Sequence, residues 1–300
     1  MATQLPTIFR SVCANAPRLW HGAAAVVAGA ILAGCASTTD GGAIGLDRPQ
    51  LLLLSSEKVN TMAAESFSKL SRTALSKRKL NTDARMTERV RRIGRDLIAQ
   101  VDVFRADAPH WAWEIHVFDS NEINAFCAPG GKIGVYRGII ERLQLNDHEL
   151  AAIMGHEIAH ALREHTREKM SQKTLAGVVD TGISLGTGIP ADWIHAGSSV
   201  VVHLPNSRAM ELESDVMGLE LMARAGYDPR QAANVWKKMR AVEKQGDRSA
   251  FLSTHPSGEE RIALLEQHVP TTMPLYQAAL QRKAAEASGQ PVLLPMRPAP

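Results

Sequence analysis

The feature that most constrains this chain is the pentapeptide His156-Glu157-Ile158-Ala159-His160, which lies in a strongly helical segment. In an α-helix, residues at i and i+4 are about 40° apart around the axis, so both imidazoles can reach one ion from the same face. Glu157 lies about 100° from His156, so it is poorly placed to be a third ligand. It can instead take a proton from water beside the ion. The spacing therefore predicts a metal site with an adjacent general base.

The surrounding helix strengthens this interpretation. Asn146 is a good N-cap, and Glu149 follows three residues later as in a capping box. The helix is expected to extend to about Lys169. Both motif histidines flank its apolar stripe, whereas a core histidine would more often lie inside it. His165 lies inside the stripe and is predicted to be structural. The stripe comprises Leu150, Ile153, Met154, Ile158, Ala161 and Leu162.

A catalytic zinc site needs a third protein ligand and an open position for water. The metzincin arrangement is excluded, because Arg163 and Thr166 stand where its glycine and third histidine would be. Glu211, on the next strong helical segment, is the better candidate. Asp215 lies one turn further on the same face, where it could accept the second N–H of a ligating histidine. Glu213 points away from that face. The alternative is that this acidic segment is only a solvated helix surface.

Composition and charge exclude several classes of protein. Hydrophobic residues make up 45% of the 300 residues and charged residues 22%, as in globular proteins. The 34 Lys and Arg residues are scattered among 31 Asp and Glu residues, and aromatic residues are only 5%. This pattern lacks the basic stripe and the stacking residues of a nucleic-acid binder. Three cysteines cannot form a disulfide framework.

The N-terminus has the features of a secretory signal peptide, because it contains two arginines, no acidic residue and a short apolar run. The run ends in Leu32-Ala33-Gly34-Cys35, which resembles the lipobox of bacterial lipoproteins. The resemblance implies cleavage before Cys35 and lipid attachment to that cysteine. Because Ala36 follows rather than Asp, we expect the periplasmic face of the outer membrane. A plain cleaved signal or an N-terminal anchor helix is the alternative.

The chain is expected to contain one main domain. Residues 1–34 are predicted to be the signal peptide, and residues 35–54 the lipidated cysteine with a Ser-, Thr- and Gly-rich tether. Residues 55–270 are predicted to form the domain. Residues 271–300 are expected to be a helix end followed by a Pro-rich tail.

Hydrophobic periodicity predicts an α+β fold that is mainly helical with a small antiparallel sheet. Residues 55–101 show helical spacing, whereas 113–118 and 132–136 alternate as strands. Residues 171–203 are rich in Gly, Ser and Thr and are predicted to be a mobile loop or lid. Further helical patterns cover about 208–224, 229–245 and 258–268.

The combination of His156-Glu157-x-x-His160 with Glu211-x-x-x-Asp215 resembles metallopeptidase family forty-eight, the gluzincins of the HtpX, Oma and CAAX-protease type. The likeness runs from about residue 59 to residue 265. With the lipobox, it is nearest to the periplasmic lipoprotein members, without the tetratricopeptide domain of some of them. Further motifs in family order are Asn124-Ala125-Phe126, Pro129-Gly130-Gly131, Leu204-Pro205-Asn206-Ser207-Arg208, Ala225-Gly226-Tyr227-Asp228-Pro229 and Thr254-His255-Pro256.

The resemblance implies a zincin-like domain with one zinc ion per chain. The implied ligands are His156, His160 and Glu211, and Glu157 is implied as general base and then proton donor. The resemblance also implies that a peptide substrate docks as an added strand along a sheet edge, using main-chain hydrogen bonds. The residues expected at that edge are Asn124, Ala125, Phe126, Gly130 and Gly131.

A group that steadies the developing negative charge is also required, and His255 and Arg208 are the candidates. His255 has two alternatives: it could approach the metal and occupy the water position, which would make the enzyme latent, or it could be an ordinary loop histidine. Cys127, beside the expected substrate strand, is predicted to be a packed thiol rather than a redox or metal group.

These observations lead to two functional hypotheses. The first is a lipid-anchored periplasmic zinc endopeptidase that cleaves misfolded or unfolded proteins, including outer-membrane proteins. The second is a latent or chaperone-like zincin scaffold that binds intermediates of outer-membrane protein assembly and works with that machinery. A third interpretation, in which His156 and His160 are only structural, predicts that no zinc is bound. No nucleic-acid partner is expected.

Overall fold

The computed structural model describes residues 35–46, 48–181, 206–246 and 249–288. The predicted signal peptide, most of the predicted 171–203 loop and the Pro-rich tail lie outside these residues. Within the described residues, no helix is both long enough and apolar enough to cross a bilayer.

The described elements are numbered along the chain. The helices are α1 (Ser56–Ser76), α2 (Ala84–Ile98), α3 (Arg137–Arg142), α4 (Asp147–Leu162), α5 (His165–Thr181), α6 (Arg208–Arg224), α7 (Ala232–Lys244), α8 (Ala250–Thr254) and α9 (Glu259–Ser288). The strands are β1 (Cys35–Ala36), β2 (Gln50–Leu51), β3 (Glu114–Phe118), β4 (Ala125–Ala128) and β5 (Lys132–Tyr136). The mainly helical α+β fold is confirmed.

The predicted capping box at the start of α4 is present. The Asn146 side chain accepts a hydrogen bond from the backbone N–H of Glu149 at 2.9 Å, and the Glu149 carboxylate accepts one from the backbone N–H of Asn146 at 2.9 Å. Two backbone donors that a helix start would leave unpaired are thereby satisfied. This cap fixes where α4 begins, and therefore which way its histidines face.

The main sheet is mixed, so the expectation of an antiparallel sheet was wrong. Strands β4 and β5 form an antiparallel hairpin, but β3 pairs with the other side of β5 in parallel, giving the order β3-β5-β4. The hairpin turn uses Gly130 and Gly131 at φ of 77° and 82°, a region that favours glycine. A Cβ at Gly131 would lie 2.6 Å from the Trp113 ring. Periodicity identified the strands but could not determine which edge of β5 each would join.

Helix α4 ends earlier than the sequence predicted. The chain bends at Glu164, whose φ is +47°, and α5 begins at His165. Three side chains hold the Glu164 carboxylate: Arg105 at 2.7 Å, Arg167 at 2.5 Å and Ser56 at 2.9 Å. The helix resumes after the bend, so part of the segment predicted as a loop belongs to α5. The bend could not be seen in the sequence, because no glycine or proline marks it.

The core is built around α4, which packs against α6, α2, α7 and β4. Helices α4 and α6 meet backbone to backbone at a pair of glycines. A Cβ on Gly155 would lie 2.9 Å from the carbonyl oxygen of Gly218, and a Cβ on Gly218 would lie 2.7 Å from the backbone nitrogen of His156. Real side chains do not approach backbone atoms this closely, so only glycine permits the observed spacing of the two helices.

The N-terminal residues that were expected to be a tether pack on the domain instead. Strand β1 pairs with β2, and Thr39 and Gln50 are both buried. The Thr38 hydroxyl donates to Gln50 Oε1 at 2.9 Å and lies 3.3 Å from the carbonyl oxygen of Leu162, at the end of α4. We call residues 36–51 the strap.

Helix α9 is longer than the periodicity indicated. It continues through Pro270 and Pro274 to Ser288 and packs along α6. Thr272 is fully buried in this stretch, and its hydroxyl lies 3.2 Å from the carbonyl oxygens of both His268 and Val269. Tertiary packing therefore carries the helix past residues that disfavour it locally.

The glycine contact predicts a large effect of a small substitution. We expect Gly218→Ala to lower the free energy of unfolding by about 1–3 kcal/mol, because the added methyl group forces α4 and α6 apart. Urea unfolding followed by circular dichroism measures this. In the control variant Gly258→Ala, the new Cβ has only the backbone nitrogen of Glu260 nearby, at 4.0 Å. A Gly218→Ala chain as stable as this control would contradict the argument.

Candidate metal centre

Helix α4 presents His156 and His160 side by side in the buried interior. Their exposed fractions are only 4% and 8%, and their Nε2 atoms are 3.0 Å apart. Burial lowers the pKa of His160 well below its usual value, and this outweighs the opposing effect of Glu211. A neutral imidazole with a free ring nitrogen is the form that binds a metal ion.

Helix α6 brings Glu211 to the two histidines. Its carboxylate oxygens lie 3.4 Å from His156 Nε2 and 3.3 Å from His160 Nε2. Asn206, just before the N-cap Ser207, donates from Nδ2 to Glu211 Oε1 at 2.6 Å. The first turn of α6 is thereby held against the middle of α4.

Asp215 lies where the sequence predicted it, one turn beyond Glu211. Its Oδ1 is 3.0 Å from His156 Nδ1, so it accepts the hydrogen bond that orients this imidazole. Arg261 from α9 holds the same carboxylate through two contacts of 2.6 and 2.7 Å, and its Nη1 lies 2.6 Å from Glu211 Oε2. The guanidinium stacks over Trp236, 3.4 Å from the ring centre. Arg261 thus ties Glu211 and Asp215 to one cation.

His255 also faces this group. Its Nδ1 lies 3.0 Å from Glu211 Oε1 and 3.3 Å from His156 Nε2, and its ring stacks on Phe251. Its other ring nitrogen, Nε2, is 3.4 Å from Glu157 Oε1. His255 is therefore part of the site and not an ordinary loop histidine. Its location fits both a metal ligand and a residue that contacts the reacting substrate.

Glu157 lies beside the ligand group, at a cleft of about 600 Å³ whose other wall is β4. Its side chain is buried, and its Oε1 has no hydrogen-bond partner among the described residues. Burial raises the pKa of this carboxyl group, and the nearby His255 and His156 only partly offset the effect. A carboxylate in this state is a suitable proton acceptor.

Strand β4 lines the cleft, as expected for a substrate-binding edge. It pairs with β5 on one side and, among the described residues, with no strand on the other. Asn124, Ala125 and Phe126 lie at the cleft, whereas Gly130 and Gly131 form the hairpin turn beyond it. The three residues are brought to the site, and the two glycines shape the strand that presents them.

Arg208 is not brought into the site. Its side chain is 81% exposed and its nearest carboxylate is Glu260, at 3.5 Å, because the first residue of α6 points outward. A cation that does lie in the cleft wall is Lys169, whose Nζ donates to Asn206 Oδ1 at 2.5 Å. Burial lowers the pKa of Lys169 to about 8. The expectation that Arg208 steadies the reaction is therefore not supported by its position.

Cys127 is packed in the core of the domain, and burial raises the pKa of its thiol well above the usual value. A protonated thiol in this position is inert.

Glu213 is not solvated, although it points away from the ligands as expected. It is 6% exposed and lies 3.0 Å from His165 Nε2, and Arg163 and Arg48 also contact it. His165 in turn contacts His160, with 2.8 Å between their Nδ1 atoms. In a continuous helix, residues at i and i+5 would be about 140° apart, so the bend at Glu164 makes this contact possible.

The residues fit a zinc ion. Ligand atoms of His156, His160, Glu211 and His255 all lie within 4.8 Å of one another. Tetrahedral zinc with bonds of about 2.0–2.1 Å separates its ligand atoms by about 3.3 Å, close to the 3.0–3.4 Å found between the histidine nitrogens and Glu211. Asp215 and Glu211 overcome the effect of burial and raise the pKa of His156 to about 9, so the site attracts positive charge.

Sequence reasoning assigned no role to Arg261 or Asn206. A signal for Arg261 was present, because it stands next to Ile262 and four residues before Leu265, on the side of the helix that periodicity predicts to be buried. Asn206 belongs to the motif that runs from Leu204 to Arg208, but nothing in its spacing pointed to a contact with Glu211.

Comparison with known proteins gives several relatives. Mitochondrial metalloendopeptidase OMA1 of Arabidopsis thaliana is 38% identical over 158 residues, which cover 52% of this chain and 31% of the relative. Metalloprotease LoiP of Escherichia coli is 22% identical over 250 residues, covering 81% of this chain and 92% of the relative. The beta-barrel assembly-enhancing protease of Yersinia pestis is 25% identical over 199 residues, covering 60% and 38%. The chain thus spans about a third of the Arabidopsis relative.

The family comparison agrees with the motifs. Residues 84–269, more than half of the chain, match the description "Peptidase family M48". The matched range contains α4, α6 and β4, and with them the whole ligand group described above. The chain belongs to peptidase family M48.

Proposed function

We propose that this protein is a zinc-dependent endopeptidase that cleaves unfolded or misfolded polypeptides. The observation that carries the proposal is Glu157, a buried carboxylate beside the ligand group and facing the cleft under β4. The names of the relatives support it, since they are described as metalloendopeptidases or proteases, and one as enhancing β-barrel assembly. Outer-membrane proteins are therefore the substrates we favour.

The chain supplies three parts of the reaction. A zinc ion held by His156, His160 and Glu211 would provide Lewis-acid chemistry, polarising a carbonyl group and lowering the pKa of water. The open edge of β4 pairs with an extended peptide through main-chain hydrogen bonds. Glu157 takes a proton from the attacking water as the new C–O bond forms, and gives it to the amine nitrogen as the C–N bond breaks.

This role predicts that Glu157→Gln keeps its zinc but cleaves unfolded casein at least about 10²-fold more slowly, because the amide cannot accept the proton. Gel-based cleavage assays and elemental analysis measure the two properties on the same sample.

The matched control is Glu260→Gln, which changes an exposed glutamate that pairs with the exposed Arg208 at 3.5 Å. This variant should cleave casein at the rate of the unmodified chain. Equal rates for Glu157→Gln and the unmodified chain would refute the role of Glu157.

A second candidate function is a latent or chaperone-like scaffold that binds intermediates of outer-membrane protein assembly. The observation that favours it is His255 Nδ1, which lies within the ligand group, where it can compete with water for the open position.

Under this second function, His255→Ala raises casein cleavage severalfold, because the imidazole no longer competes for that position. Glu157→Gln introduced into the same variant should abolish the gain, which assigns it to this site. Slower cleavage by His255→Ala would instead give His255 a role in the reaction.

We propose that the chain is a lipoprotein on the periplasmic face of the outer membrane. The support is the lipobox ending at Cys35, followed by Ala36. Because the strap packs on the domain from Ala36 onward, a lipid on Cys35 would hold the domain close to the bilayer rather than at the end of a long tether.

Lipidation predicts that Cys35→Ser no longer incorporates radiolabelled palmitate in a bacterial host and moves from the membrane fraction to the soluble fraction. The matched control is Cys13→Ser, which changes a cysteine inside the predicted signal and should leave labelling unchanged. Labelled protein from the Cys35→Ser gene would contradict the proposal.

A further inference from the structure

A chain of side-chain contacts connects the candidate metal ligands to the strap, which is far from them in sequence. The path begins at Glu213, a buried carboxylate of α6 that can only accept hydrogen bonds when ionised. His165 Nε2 lies 3.0 Å from Glu213 Oε2 and must therefore carry the hydrogen. This fixes the tautomer of His165 and leaves its Nδ1 as an acceptor.

The same reasoning determines the tautomer of His160. Its Nδ1 is 2.8 Å from His165 Nδ1, and one of these two nitrogens must donate. Because His165 Nδ1 is an acceptor, His160 Nδ1 carries the hydrogen. His160 Nε2 is then free of hydrogen, and its lone pair is left on the side facing Glu211 and the cleft. The Glu213–His165 pair thus prepares His160 as a ligand.

Two arginines hold Glu213 in place, and one belongs to the strap. Arg48 donates from Nε to Glu213 Oε1 at 2.7 Å and from Nη2 to Oε2 at 3.0 Å, and it also pairs with Glu168 at 2.7 Å. Arg163, which is fully buried, donates to Glu213 Oε1 at 3.2 Å. A carboxylate gripped through both oxygens cannot rotate away from His165.

The strap also positions Arg163. The Arg163 guanidinium donates to the hydroxyls of Ser37 at 3.0 Å and Thr39 at 3.1 Å, and to the backbone carbonyl of Arg48 at 2.8 Å. Gln50 donates to the backbone carbonyl of Arg163 at 2.5 Å. Most partners of this buried cation therefore come from the strap.

We propose that the strap is a working part of the metal centre, in which Arg48 positions Glu213 so that the relay from Glu213 through His165 orients His160 for zinc. Arg48 is a positioning residue, since it contacts neither the ligands nor the cleft. The proposal rests on the zinc site of the proposed function but not on cleavage. Zinc affinity can be measured whether or not any peptide is cut.

The experiment compares zinc affinity in full-length variants by competition with a chromophoric chelator at fixed pH. Loss of a direct partner of a ligating histidine typically weakens metal binding 10–100-fold, so we expect a loss of this size for His165→Gln. Arg48→Gln, one step further away, should weaken binding by about tenfold. Both variants should also give up zinc to the chelator faster.

The matched control is Arg224→Gln. Arg224 is half-buried, like Arg48, and it also pairs with a buried glutamate of α6, Glu220, at 2.7 Å. Glu220 holds the strap too, because it accepts the backbone N–H of Ala43, but it does not contact the relay. Arg224→Gln should therefore also remove a buried ion pair and destabilise the metal-free chain, yet bind zinc within twofold of the unmodified chain.

The outcomes distinguish the possibilities. Zinc affinity of Arg48→Gln within twofold of the unmodified chain, or an equal loss in Arg224→Gln, overturns the proposal and leaves the strap a purely structural role. If Arg48→Gln does not fold, Arg48→Lys keeps a cation but loses the two-pronged contact, and unchanged affinity there overturns the proposal equally. Failure of the unmodified chain to bind zinc would instead refute the metal centre itself.

Discussion

The contact of α4 with α6 at Gly155 and Gly218 is the constraint on which the site depends. Gly155 precedes His156 directly, and Gly218 stands two turns after Glu211, so the closest approach of the two backbones determines how far the glutamate lies from the imidazoles. A wider spacing would leave two histidines on one helix and a carboxylate on another, with no common centre. The metal site is therefore a consequence of how two helices pack.

Bringing these groups together buries many charges, and each buried charge needs a partner. Three acidic residues of α6 each contact a different part of the site. Glu211 joins the ligand group, Asp215 orients His156, and Glu213 reaches His160 through His165. Arginines from remote parts of the chain then neutralise them, including Arg261 from α9 and Arg48 from the strap. The electrostatic requirement of the site thus binds the strap and α9 to the central helix pair.

The sequence was most informative where the structure is local. The start of α4, the i and i+4 spacing of the histidines, and the shared face of Glu211 and Asp215 all follow from helix geometry. It failed at the bend after α4, because Glu164 adopts a positive φ that only tertiary ion pairs explain. The role of Glu213 was also missed. Glu213 lies about 200° from Glu211 around the same helix. It can act on the site only because the bend brings its partner His165 into contact with His160.

The long-range partners could not be predicted for a different reason. Arg48 lies 165 residues before Glu213, and nothing in a basic residue of a Ser- and Gly-rich segment indicates which carboxylate it will meet. The contact between Arg48 and Glu213 also bears on how the protein would work. If Cys35 carries the lipid, the segment nearest the membrane would also be the one that we propose orients His160 for zinc. Anchoring and metal binding would then share one structural element, so cutting the strap to release the domain would also loosen its metal site.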